Sequence, residues 1–151
     1  MKKLLSLLAL VTMLCVACSK DSDTNNPDNL PPLSPYIYGT WMGTLTFALP
    51  DGTTKTTGEF PIDISLASGN SKILLQIGAD KTKREAVMTG NEFSLSYTGD
   101  LYNYSGSITI KGSLNADKRI ITISDSKIIN KTDNKTYNFT GSFKKKAEMP
   151  S

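Results

Sequence analysis

Histidine is absent from the 151 residues of this chain. That removes the usual general base, the Ser-His and Cys-His pairings and most zinc sites. Cysteine is almost absent too. Cys15 and Cys18 are the only two, and both precede the body of the protein, so the body holds no disulfide and no thiol nucleophile. A membrane-spanning helix needs roughly 20 apolar residues, and the apolar stretch from Leu4 to Val16 stops short of that. Neither sign of charge dominates: 17 Lys and Arg face 14 Asp and Glu, and loss of a leader containing Lys2 and Lys3 leaves 15 against 14. Such a balance does not steer nucleic acid, and the basic run Lys144 to Lys146 reads as the solvated end of a strand. Gly-rich phosphate loops, zinc-protease motifs and nucleophile elbows are missing as well.

What is present begins with MKKLLSLLALVTMLCVACSKDSD. Lys2 and Lys3 form a positive n-region, and Leu4 to Val16 an apolar h-region of secretory type. Val16, Ala17 and Cys18 resemble the lipobox of bacterial lipoproteins, with Cys15 where that motif usually has Leu. The resemblance implies that residues 1–17 are a lipoprotein signal peptide and that Cys18 is the lipidated first residue of the mature chain. Two or more acyl chains anchor stably where one does not, so a membrane partner is expected through Cys18. Ser19 replaces the Asp that can hold a lipoprotein at the inner membrane. Lys20, Asp21 and Asp23 resemble the acidic surface-export signal of Bacteroidota lipoproteins. These features imply an outer-membrane lipoprotein facing outward, with the periplasmic face as the alternative. The segment up to residue 36 has four prolines and no apolar period. It cannot bury enough apolar surface to fold, so residues 18–36 read as the lipidated cysteine and a disordered tether, extending up to roughly 55 Å if polyproline-like.

From Ile37 the texture changes to runs rich in Thr, Ile, Tyr, Phe and Val, separated by turn clusters. Turns are expected at 50–53, 68–70, 79–82, 90–91, 99–100, 115–118 and 130–135, because Gly, Asn and Asp reach turn conformations cheaply. They separate eight strands: 39–49, 54–66, 71–78, 83–89, 92–98, 101–114, 119–129 and 136–145. Alternation supports them. Trp41, Leu45, Phe47 and Leu49 share a face; so do Phe60, Ile62, Ile64 and Leu66; Phe93, Leu95 and Tyr97; Tyr102, Tyr104, Ile108, Ile110 and Leu114; and Tyr137, Phe139 and Phe143. A period of two with one polar face indicates antiparallel sheet with one side packed. Eight such strands on short loops abolish their edges by rolling up. The fold expected over 37–146 is therefore an all-β, eight-stranded antiparallel up-and-down barrel, with a β-sandwich as the alternative and 147–151 as a C-terminal tail.

Gly39, Thr40 and Trp41 resemble the opening Gly-x-Trp of the calycin-type barrels, the lipocalins and avidins, where the indole closes one barrel end. The whole chain resembles small lipocalin-like lipoproteins of the Bacteroidota. The late arginine that stacks on this tryptophan in lipocalins has no counterpart, since Arg84 and Arg119 both precede the last strand. Gly43 stands where avidins place a biotin-contacting Asn, which argues against biotin.

The aromatics Trp41, Phe47, Phe60, Phe93, Tyr97, Tyr104, Phe139 and Phe143 all fall on expected inward faces. They are the candidate lining of a barrel interior that holds a small apolar or amphipathic ligand; the competing reading is a dry, filled core around Trp41. Carboxylates do not form a catalytic pair: Glu59 and Asp63 lie on the polar side of one strand, some 13 Å apart at about 3.3 Å per residue. The chain reads as a non-enzyme with no cofactor, no metal site and no nucleic-acid partner. Its expected role is ligand binding, and the alternative is a protein-interaction module, such as an inhibitor or accessory subunit of an envelope complex.

Overall fold

A computed structural model describes residues 37–69, 71–115 and 119–146. The expected leader, Cys18, tether and C-terminal tail lie outside the described residues, as does most of the turn expected at 115–118. The described residues form nine strands and no α-helix: β1 (Gly39–Ala48), β2 (Thr54–Thr56), β3 (Phe60–Leu66), β4 (Lys72–Ile77), β5 (Arg84–Thr89), β6 (Glu92–Leu101), β7 (Tyr104–Asn115), β8 (Ile120–Asn130) and β9 (Thr136–Lys145).

β1 pairs with both β2 and β3, each strand from β3 to β8 pairs antiparallel with the next, and β1 also pairs with β9, from Trp41 opposite Lys145 to Ala48 opposite Asn138. That last ladder closes the sheet. The fold is an up-and-down barrel and not a sandwich. β2 and β3 together occupy the place of one barrel strand, since both pair with the same edge of β1.

The single strand expected at 54–66 is thus broken, and the break has a visible cause. Gly43 faces Phe60 and Thr46 faces Thr56, so this strand carries one residue more than β1 over that interval. Such a bulge bends and twists a strand. Thr57 makes it tolerable: its amide donates to the Leu45 carbonyl at 2.8 Å, and its buried hydroxyl accepts the Leu45 amide at 3.0 Å. A second bulge lies in β8, where Ser124 and Asp125 (φ 47°) separate the residues paired on either side. Buried Ser126 accepts the Lys111 amide at 2.8 Å and lies 2.9 Å from the Ser124 carbonyl. The bulge flips the inward parity of β8, from Ile121 and Ile123 to Ser126, Ile128 and Asn130.

The interior is filled. Trp41, Phe47, Phe143, Ile73, Leu75, Ile108, Ile121, Ile123 and Ile128 are all essentially without exposure. Packing of this density needs small residues opposite large ones. At Gly112 a Cβ would come within 2.3 Å of the Phe93 ring, and at Gly43 within 2.1 Å of the Ser142 carbonyl oxygen. Two expected inward residues are elsewhere. Leu66, the last residue of β3, is 66% exposed, and Tyr102 is not in a strand at all.

Candidate functional site at the barrel mouth

The two ends of the barrel differ. At one end the chain enters through Ile37, and the Trp41 indole N–H donates to the Ile37 carbonyl at 2.8 Å. Trp41 has no exposure, and the Lys145 ammonium lies 5.8 Å from its ring centroid. This end is plugged. A cation from the last strand does reach the tryptophan, but it is a lysine where lipocalins place an arginine.

At the other end the rim is uneven. The β6–β7 hairpin continues to Leu101 opposite Tyr104, so Gly99 and Asp100, expected to form a turn, are strand residues facing Gly106 and Ser105. The turn is Tyr102 and Asn103. Beside this tall hairpin the wall is low, because β4 stops at Ile77 and β5 starts only at Arg84. β5 and β6 share just three paired positions, Val87 with Ser94 to Thr89 with Glu92.

Where that ladder stops, side chains take over. The Arg84 guanidinium sits 4.1 Å from the Tyr97 ring centroid and 2.6 Å from Asp80. The Asp80 carboxylate also caps its own turn through the Thr82 amide at 2.9 Å. Hydrogen bonds from the Thr82 backbone and side chain, then from Arg84, hold the Asp80 carboxyl down at about 2. Burial pushes the Tyr97 hydroxyl up, partly offset by Arg84. Across the mouth Asp133 forms a second tie, accepting from the Tyr137 hydroxyl at 2.5 Å and from Asn130 at 2.9 Å. The Tyr137 hydroxyl foremost keeps that carboxyl below its ordinary range.

Between the β6–β7 turn, the β4–β5 loop and the start of β3 lies a cavity of about 350 Å³. Phe60, Ile77, Leu101 and Tyr102 give it an apolar lining; Glu59, Asp80 and Asp100 also line it. Pockets for small molecules begin at roughly this volume. Tyr102 is the unusual member. Its φ is 57°, a left-handed conformation that costs a side-chain-bearing residue about 1–2 kcal/mol. Its ring is half exposed, stacked on Phe47 at 6.4 Å and approached by Lys55 at 5.9 Å.

No family model matches the chain, and no curated protein or solved structure matches it. The site therefore stands on its geometry. Of the eight aromatics expected to line it, only Phe60 borders the cavity, resting edge-on against Phe143 at 5.3 Å. Phe47, Phe139 and Tyr104 pack on one another, with Phe47 5.2 Å from Phe139 and 5.0 Å from Tyr104. Phe93 covers Gly112, Tyr97 backs Arg84 and Trp41 plugs the far end. Ile77, Leu101, Tyr102, Asp80 and Asp100 line the cavity without being among the expected site residues. The signal available was the Gly99 and Gly106 pair, which suits two backbones lying face to face. Among the described residues no group of three Asp, Glu, Cys or His could hold a metal ion.

Proposed function

We propose that this protein is a membrane-anchored lipoprotein, tethered through lipidated Cys18, whose calycin-like barrel binds a small apolar or amphipathic ligand at its mouth. The observation that carries the reading is the apolar cavity beneath Tyr102, set against an interior already filled by aromatic and branched side chains. A strained aromatic is hard to justify by core packing when half its ring faces water, yet it is well placed as the wall of a binding site. The reading is of a binder and not a catalyst, placed at the outer membrane. The anchoring part rests on the lipobox-like residues. Metabolic labelling with an alkyne fatty acid should mark the wild-type chain and not Cys18→Ala; equal labelling of both would remove the anchor.

Binding is tested with the full chain in zwitterionic lipid nanodiscs and the neutral probe 4-phenylbutanol, read by methyl chemical shifts. Saturable shifts at Ile77 and Leu101 are expected, lost in Ala79→Trp, which puts a large ring into the cavity. Absence of saturable shifts, or shifts that persist unchanged in Ala79→Trp, would end this reading. The filled core also supports a second one, a protein-interaction module. Leu66, Val87 and Ile129 are exposed on three separate strands, and recovery of a partner that survives Ala79→Trp but not loss of one of those side chains would favour it.

A further inference from the structure

The cavity's charge is one-sided. Three acidic residues line it, and among the described residues no lysine or arginine does. Asp80 is already committed to Arg84 and to its own turn. Glu59 and Asp100 are not: among the described residues neither side chain has a hydrogen bond or ion pair. They flank the apolar patch from different elements, Glu59 from the chain just ahead of β3 and Asp100 from the tall β6 edge. Backbone geometry does not call for Asp100, which lies in a strand, where Asp is disfavoured, and not in the turn that its type suggests. Nearby cations are drawn to aromatic rings of this rim, Arg84 to Tyr97 and Lys55 to Tyr102. A tyrosine face attracts a ligand cation by the same electrostatics.

We infer that the ligand is a cationic amphiphile: an apolar body seated on Phe60, Ile77 and Leu101, with an amine head held at the rim between Glu59 and Asp100. This rests on the mouth being the binding site and adds the chemical class. An anionic lipid or fatty acid would meet two unneutralised carboxylates at the same rim and be repelled.

The test uses the full chain in zwitterionic nanodiscs, with empty discs subtracted, and three probes of one shape: 4-phenylbutylamine, 4-phenylbutanol and 4-phenylbutyrate. The amine is expected to bind about tenfold more tightly than the alcohol, as two partly exposed ion pairs allow, and the carboxylate more weakly than either. The double variant Glu59→Gln with Asp100→Asn should erase the difference in affinity between the amine and the alcohol. The amine preference should also decline as salt rises. Equal affinity of all three probes, or an amine preference that survives the double variant, overturns the inference while the mouth remains a binding site. Failure of all three to bind overturns both. Trp41 emission at its wild-type position serves as the folding control, since a collapsed variant would lose it.

Discussion

The plugged end and the mouth of this barrel are built from the same strands, yet they solve opposite problems. At the plugged end a single large side chain, Trp41, has its one polar atom satisfied by Ile37, its ring covered and a cation from β9 beside it. Everything there is consistent with the demands of burial. At the mouth the local preferences conflict. A tyrosine holds a left-handed turn position, two carboxylates have no partner among the described residues, and a side-chain latch stands in for a missing ladder. Such conflicts are costs to stability, and they collect at one end only. Proteins tolerate them where a site is being maintained.

The contrast can be broken at its strong end first. Trp41→Ala should remove about 3–5 kcal/mol of stability, as for other buried aromatics, measured by chemical denaturation followed by circular dichroism. A loss under about 1 kcal/mol would mean that the plug carries little of the fold. Lys145→Ala should cost far less, about 0.5–1 kcal/mol, the range of an exposed cation–π pair, and a shift in Trp41 emission should accompany it; unchanged emission would take the lysine off the ring.

Acid should then separate the two ends. The Asp80 carboxyl is held below its ordinary value, so its ties to Thr82 and Arg84 are fully present above about pH 4 and lost as pH falls toward 2. Through that window Arg84 and Tyr97 resonances are expected to move while emission from Trp41, the only tryptophan, stays constant. Simultaneous movement of both would make the ends one cooperative unit. The smallest stability change is expected at the mouth itself. Tyr102→Asn relieves the left-handed strain but loses the stack on Phe47, so stability should stay within about 1 kcal/mol of wild type. Probe binding should nevertheless weaken. A loss matching that of Trp41→Ala would make Tyr102 a core residue instead.

The barrel was largely legible because alternation is a direct image of strand geometry. Trp41, Phe47, Ile62, Phe93, Ile108 and Phe139 all point inward as their parity requires. What escaped depends on contacts between strands far apart in sequence. Nothing local to Thr57 or Ser126 announces that each hydroxyl replaces a backbone partner on a neighbouring strand. Gly99 and Asp100 look like a turn by composition, and only the ladder with β7 carries the strand past them. The site suffered most from this. The inward aromatics allow either a ligand pocket or a dry, filled core; side-chain volume decides between them, and here the same residues fill the interior.

The ladder joining β1 to β9 has a temporal meaning as well. One edge of β1 is satisfied early by β2 and β3, which follow closely in the chain, but the other must wait for the segment from Asn138 to Lys145. Such distant pairing places all-β folds among the slow ones, in the millisecond-to-second range. Until it forms, β1 and β8 both present raw edges that invite pairing with other chains. The strand synthesised first is therefore the last to be sealed, and the barrel remains an open, adhesive sheet until nearly its final residue is in place.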